Sequence, residues 1–306
     1  MVSTEPEVSI VVPTRGRPAL AAACVGSILA QRGAPPFELL IADQTEGPAT
    51  REAVLAAAGG DARVRHIAVT GRGRSLALNG ALPEARGTWV AMTDDDCEPA
   101  PDWLAQLVGA AVRAPSRSIV VGRVVAGPRE EGHGEPPAIL DLPEPATIAG
   151  RVDRDWIYPN VIVPRAVFDE IGRFDERLGV GTTIPGGEDN DFGYRLLRAG
   201  WTIAYRPEPV VVHAAWRTVA ERAALKRAYG LGQGGFYAKH LARGDGFVTW
   251  RFAKDVVRTL RATAGAYVRG RGAEGRGHAA YLGGLFGGAA RMASHLAGGR
   301  GPGAGR

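Results

Sequence analysis

The chain has 306 residues, 45% hydrophobic and 23% charged, a globular balance that can bury a core in one large domain or in a domain with an appended segment. Its two cysteines, Cys24 and Cys97, lie far apart without CxxC spacing, which argues against a disulfide framework and for a reduced, cytoplasmic setting. The net charge of +5 is unevenly spread: residues 214–306 hold 16 Lys/Arg against 4 Asp/Glu and residues 1–213 hold 21 against 28, so an acidic body precedes a basic extension.

The body alternates strand and helix. "VSIVVP" (8–13) is a continuous β-branched run suited to a strand buried on both faces, and after "TRGRP" the stretch 18–31 reads as a helix opening on Pro18. "FELLIAD" (37–43), "VRHIAVT" (64–70) and "TWVAMT" (88–93) read as further strands, with helices over 49–59 and 75–85 between them. The alternation predicts a parallel, doubly wound sheet with ligands at the carboxyl ends of the strands, where Thr14, Asp43 and the triplet Asp94, Asp95 and Asp96 all fall. Residues 126–147, rich in Pro, Gly and Glu, read as a loop, and its His133 as a solvated residue. "GGEDNDFGYRLLRAGW" (186–201) has a glycine entry, a helix from about Asp189 to Ala199 and Gly200 as its C-cap. Glu188 and Asp189 sit where the helix dipole favours negative charge, and Asp191 and Arg195 have the spacing of a surface pair.

Five stretches in this order, "VSIVVPTRGRP", "LLIADQTEG", "GRGRSLALNGALPEARGTWVAMTDDDCEPAPDWL", "PNVIVPRAVFDEIGRFDE" and "GGEDNDFGYRLLRAGW", resemble the inverting glycosyltransferases of family 2. The resemblance covers about residues 8–213 and implies a GT-A fold, a Rossmann-like, mostly parallel sheet flanked by helices. The charge break after His213 sets this catalytic domain, over 1–213, apart from a basic helical extension over 214–297, and composition marks 298–306 as a disordered tail. The resemblance also implies a nucleotide-diphosphate sugar as donor. A leaving diphosphate needs cationic help, which a hard divalent ion held by carboxylates supplies, so Mg²⁺ or Mn²⁺ is the expected cofactor.

The same resemblance distributes roles among residues. Pro13, Thr14 and Arg17 correspond to the nucleotide-binding loop, and Asp43 to the acid that holds the base, although a plain strand-end turn would also use an aspartate there. Asp94 corresponds to the ribose or water-mediated metal contact, Asp96 to the metal ligand, and Asp95 lies between them. His213, closing "PVVVH", matches a metal-binding position and equally suits a structural role; Asn160 matches a donor-sugar position. Asn79 belongs to a motif that usually reads Ala-Arg-Asn and here has Leu78 in the arginine's place, leaving a contact to base or diphosphate to be lost or supplied by Arg72 or Arg74. Inverting transfer needs a base for the acceptor proton. The resemblance gives that role to Asp189, with Glu188 orienting acceptor or base, while capping alone would explain one acid. Trp156 and Tyr158 suit a sugar platform or the core, and Cys97 is a small residue in a tight loop.

On a helical wheel, residues 250–269 put Arg251, Lys254, Asp255, Arg258, Arg261 and Arg269 on one arc, with Phe252, Val256, Val257, Leu260 and Tyr267 opposite. Such a helix packs on a domain or lies on an anionic membrane, here through 250–290. The chain shows no signal-peptide pattern and no apolar run long enough to span a bilayer, so it is expected in the cytoplasm, with peripheral contact at the inner face of the cell membrane and a glycan or lipid-linked acceptor. A sugar-phosphate nucleotidyltransferase would share the acidic metal site but needs a glycine-rich, basic triphosphate loop, for which "PTRGRP" is too short. No nucleic-acid partner is expected, because the extension carries no groove-reading motif and the acidic body would repel phosphate.

Overall fold

The computed structural model describes residues 5–128, 133–136, 138–152, 156–157, 159–214, 216–218 and 221–298. Its elements in chain order begin β1 (Val8–Thr14), α1 (Pro18–Leu29), β2 (Phe37–Asp43), α2 (Ala49–Ala58), β3 (Val64–Ala68), α3 (Arg74–Ala81) and β4 (Trp89–Met92). Then come β5 (Cys97–Pro99), α4 (Trp103–Arg113), β6 (Ser118–Ala126), β7 (His133–Glu135), β8 (Ala146–Ile148), β9 (Val161–Pro164) and α5 (Val167–Ile171). The series closes with α6 (Glu188–Arg198), β10 (Thr202–His213), β11 (Arg217–Thr218), α7 (Arg222–Leu241), α8 (Gly246–Val268) and α9 (Gly272–Ala297). The helix expected over 75–85 stops at Ala81 and finishes as a 3₁₀ turn over Leu82–Glu84, because the Pro83 ring cannot follow an α-helical carbonyl one turn back.

The chain forms two compact units. The first comprises residues 1–131, 136–174 and 192–216, and among its described residues a nine-stranded sheet runs β3-β2-β1-β4-β9-β6-β10-β5, with β8 beside β10. From β3 to β4 every pairing is parallel. Beyond β4 directions mix: β9 runs antiparallel to both β4 and β6, while β10 pairs in parallel with β6. β1 shows why its sequence is an unbroken apolar run: Val11 feeds the cluster on one face, with Leu40, Leu78, Phe192 and Tyr205, and Ile10 and Val12 feed the other, with Ile41, Trp103 and Leu107.

The register places the polar strand ends together. Thr14 pairs with Asp43 across β1 and β2, and Val11 pairs with Met92 across β1 and β4. Three residues beyond that last pair, Thr14 meets Asp95, their side chains bonded at 2.7 Å.

The second unit comprises residues 132–135, 175–191 and 217–306. It therefore takes in the segment before and at the start of α6 as well as the C-terminal helices. Of the tail expected to be disordered, Gly298 alone lies within the described residues. In this unit α7 and α9 touch backbone to backbone through paired glycines four residues apart. A Cβ added at Gly230 or Gly234 would stand 2.1 or 1.9 Å from the carbonyl oxygens of Tyr281 or Leu285, and one at Gly284 or Gly288 would stand 2.3 or 1.9 Å from those of Arg227 or Leu231.

α8 packs on a different face from the one its wheel suggested. Arg251 and Asp255, from the charged arc, are buried; Val257, Leu260 and Tyr267, from the apolar arc, are exposed. The reason is specific pairing. Arg251 lies over the rings of Phe236 and Tyr237, at 5.3 and 5.9 Å, and Asp255 accepts bonds from the hydroxyls of Tyr237 and Tyr281 and from Arg258. No described helix is long and apolar enough to cross a membrane.

The glycine contact gives a matched pair of tests. Gly288→Ala is expected to lower the urea midpoint of unfolding, at a cost of about 1–3 kcal/mol for overpacking. Gly283→Ala, where the added Cβ meets nothing within 4 Å, is expected to be neutral or stabilising. Equal midpoints for the two variants would contradict the packing described.

Candidate active site

Three adjacent carboxylates follow β4, and each meets a cation. Arg17, at the start of α1, bridges two of them: its guanidinium lies 2.8 Å from Asp95 Oδ1 and 2.8 Å from Asp96 Oδ2. Arg74, the first residue of α3, donates from Nε to Asp94 Oδ1 at 2.9 Å. Leu78, in the place of the expected arginine, is fully buried in the core, and Arg74, one turn earlier, is the residue of that helix at the acids. His213, at the end of β10, sets Nε2 3.5 Å from Asp96 Oδ1 while Nδ1 faces the Ala138 carbonyl at 3.0 Å.

The three acids differ in environment. Burial dominates at Asp95 and lifts it to about 6, against the pull of Arg17 and the Thr14 hydroxyl. Burial would lift Asp96 too, but the His213 hydrogen bond and charge, together with Arg17, outweigh it and hold Asp96 at about 2. His213 is raised in turn: burial opposes its charge, and the bonds to Asp96 and the Ala138 carbonyl win.

Asp96, Cys97 and His213 place one potential metal-ligand atom each within 4.8 Å of one another. The donor set fits a divalent cation through Asp96 and His213. Cys97 is a poor third ligand: burial drives its thiol well above its ordinary value, and hard cations select oxygen over sulfur. Asp95 Oδ1, buried beside them, is answered within the fold by the Arg17 guanidinium at 2.8 Å.

At the neighbouring strand end, Asp43 is buried and holds its turn. Its Oδ1 accepts from the Thr45 amide at 2.8 Å, and its Oδ2 lies 2.9 Å from His66 Nε2 on β3. Carboxylate oxygens keep further lone pairs, so acceptor capacity remains. The next residue, Gln44, is also buried; its Oε1 accepts from the Gly73 amide at 3.1 Å, and its Nε2 has no hydrogen-bond partner among the described residues. A buried amide donor left unmade costs about 1–3 kcal/mol, which a ligand or water acceptor would recover. Sequence reasoning missed both Gln44 and His66. The Asp-Gln dipeptide carries no signal, and His66 becomes visible only through the β2–β3 register.

Pro13 lies within β1 beside Ala42. Two asparagines have their amides engaged within the fold. Asn160 is fully buried, donates to the carbonyls of Arg123 and Pro209, and accepts from Trp103 Nε1. Asn79 donates to the Phe174 carbonyl and accepts from its amide. Trp156 packs against the core cluster, whereas Tyr158 lies outside the described residues, as does the side chain of His133.

The second acidic cluster opens α6 and belongs, up to Asp191, to the second unit. Gly187 holds φ +84°, and a Cβ there would stand 2.5 Å from the Gly232 carbonyl oxygen, so the turn needs glycine. Glu188 is buried and Asp189 partly so. Asp191 is not on the surface, as its spacing to Arg195 had suggested: it is fully buried, with Lys239 Nζ at 2.8 Å and His240 Nε2 at 2.9 Å. Lys239 also reaches Asp175 at 2.7 Å, and Arg195 donates to the carbonyls of Ile171, Gly172 and Arg173.

The family model described as "Glycosyl transferase family 2" matches residues 9–170. The chain is 30% identical over 230 residues to the O-antigen biosynthesis protein RfbC of Myxococcus xanthus, covering 68% of this chain and 17% of that one. It is 26% identical over 225 residues to the validoxylamine A glucosyltransferase of Streptomyces hygroscopicus subsp. limoneus, covering 64% and 49%. The chain thus spans half or less of the curated relatives it matches. Among solved structures it is similar to the mannosyltransferase PcManGT from Pyrobaculum calidifontis, determined with GDP-Man and Mn²⁺, with a TM-score of 0.56, 21% identity, and 97% of this chain and 76% of that one covered. The fold is therefore GT-A, and, with more than half of its length matched by the family model, the chain belongs to glycosyl transferase family 2.

The Asp96–His213 pair predicts a pH dependence. A raised His213 contributes stability that is fully present below its ordinary value near 6.5 and is lost as pH rises through the raised one; a lowered Asp96 contributes stability that is lost as pH falls through about 2. Thermal melting in EDTA is expected to show wild type above His213→Asn at pH 6, with the gap closing toward pH 9. A gap that stays constant over that range would contradict the pairing.

Proposed function

We propose that this member of glycosyl transferase family 2 moves a sugar from a nucleotide-sugar donor to an acceptor hydroxyl with inversion, assisted by Mg²⁺ or Mn²⁺. The observation that carries the reading is the register that gathers Thr14, Asp43 and Asp94–Asp96 at the carboxyl ends of adjacent parallel strands, beneath Arg17 and Arg74. PcManGT, of like fold, was solved with a nucleotide sugar and Mn²⁺, which supports the donor class and the metal.

In this reading Asp43 accepts from the base and the Gln44 amide donates to a base carbonyl. Asp94 takes the ribose, Pro13 and Thr14 shape the loop beneath the nucleotide, and Asp96 with His213 holds the cation, leaving Asp95 to anchor Thr14 and Arg17. Arg17 and Arg74 orient the diphosphate. Asn79 and Asn160 set the walls of the donor pocket through their bonds to the backbone. The bound divalent ion supplies charge neutralisation for the leaving diphosphate. The acceptor oxygen attacks the anomeric carbon from the face opposite the leaving group, the bond to the diphosphate oxygen breaks with its electron pair, and Asp189 takes the acceptor proton while Glu188 orients the acceptor. The donor is a hexosyl or deoxyhexosyl nucleotide.

A glycan or lipid-linked acceptor of cell-envelope biosynthesis, met at the cytoplasmic inner face of a membrane, suits both the basic extension and the likeness to an O-antigen biosynthesis protein. Residues 1–213 would carry the donor chemistry, and 214–297 would serve acceptor access.

Two variants test the reading. Asp96→Asn removes an anionic ligand but little volume, so Mn²⁺-dependent thermal stabilisation by the nucleoside diphosphate should disappear, read as the shift from the variant's own apo melting temperature, which itself falls with the loss of the Arg17 and His213 pairs. Retained stabilisation would contradict the metal assignment. Asp189→Asn should leave that stabilisation intact and lower transfer by roughly 10²–10⁴, the usual contribution of a positioned general base. If Asp189→Asn loses donor binding instead, its role is structural and Glu188 is the base to test next.

A further inference from the structure

Along α8, Trp250, Ala253, Val257, Leu260, Ala264 and Tyr267 recur at alternating spacings of three and four, which places them on one face of the helix. All six are exposed, with Trp250, Leu260 and Tyr267 each at about half of their surface, and Val268, 87% exposed, extends the patch. The opposite face, with Val248, Arg251, Asp255, Thr259 and Ala266, is the one buried in the second unit. A stripe of apolar residues at regular spacing, four of them large, on a helix whose other face is already packed marks an interaction surface rather than scattered exposure.

Charge selects the partner. Lys254, Arg258, Arg261 and Arg269 are exposed along one flank of the stripe, and the sole acid within α8, Asp255, is buried among the Tyr237 and Tyr281 hydroxyls and Arg258. A second copy in an antiparallel pair would set basic flank against basic flank, and a parallel pair would offer no acidic residue of α8 in reply. An anionic surface answers both the charge and the apolar stripe. From Trp250 to Tyr267 the stripe is about 26 Å long at 1.5 Å per residue, with an aromatic residue of the kind that favours the headgroup region at each end.

We propose that the outer face of α8 is a docking surface for an anionic lipid bilayer, the helix lying in the plane of the headgroups with its apolar stripe inward and its basic flank on the lipid phosphates. This deepens the membrane-proximal acceptor reading and rests on it for the surface's purpose, not for its existence.

The test is co-sedimentation of the full chain with vesicles of phosphatidylcholine alone or mixed with phosphatidylglycerol, at low and high salt. Binding is expected to the mixed vesicles, falling as salt screens the basic flank. Val257→Asp with Leu260→Asp changes two exposed side chains, so the helical melting curve should be kept while the bound fraction falls about tenfold or more. Wild-type protein that stays in solution with the anionic vesicles at low salt overturns the proposal. So does a double variant that binds as wild type, or a concentration-dependent dimer that the double variant abolishes, which would make a second copy the occupant. Nucleoside diphosphate stabilisation is measured on the same samples. Lost vesicle binding with that response intact overturns the docking surface alone, and a lost response with vesicle binding intact overturns the donor reading alone.

Discussion

Three like charges in succession at the mouth of a buried strand repel one another, and the carboxyl ends of the neighbouring strands are arranged around that repulsion. Asp94, Asp95 and Asp96 are tolerable there because Arg74, Arg17 and His213 each bring a donor to them, and because Thr14 bonds to the most buried of the three. The cations come from three separate elements, the starts of α1 and α3 and the end of β10, so the mixed sheet must be correctly assembled before the acids can be charged together. Electrostatics of this kind binds the site to the fold. A change of register at β4 would move the triplet away from Thr14 and Arg17 and leave carboxylates in a dry interior.

The second unit meets a comparable constraint with different residues. Asp191 is fully buried one turn into the acidic opening of α6, and Lys239 and His240 from α7 answer it. Asp175, where burial is outweighed by Arg177 and Lys239, is held at about 2 and completes the cluster. Removing one partner from such a buried group costs far more than the pair contributes in place, typically about 3–5 kcal/mol, so these residues tie the start of α6 to α7. The glycines where α7 meets α9 allow the two backbones to approach closely.

Much of this was legible in the sequence. Continuous β-branched runs marked the doubly buried strands, and period-two burial was not needed to find them. The positions of Thr14, Asp43 and the aspartate triplet at strand ends followed from the alternation alone. What escaped was whatever depends on distant pairing. His66 joins Asp43 through the β2–β3 register, Asn160 spends its amide on Arg123, Pro209 and Trp103, and neither local pattern hints at this. The wheel of α8 was read by polarity, yet Arg251 and Asp255 turn inward because aromatic rings and hydroxyls await them. Spacing likewise proposed a surface pair between Asp191 and Arg195, whereas Lys239, 48 positions beyond Asp191, supplies a buried cation that spacing cannot reveal.

The proposed site after β4 binds a nucleoside diphosphate only together with a divalent cation. Calorimetric titration of the wild-type chain with UDP, GDP and dTDP, in Mn²⁺ and separately in EDTA, tests it most directly. Saturable heat is expected for at least one nucleotide in Mn²⁺ and none in EDTA, since two phosphates beside three aspartates are otherwise repelled. Equal affinity in EDTA, or no binding of any of the three in Mn²⁺, would contradict it.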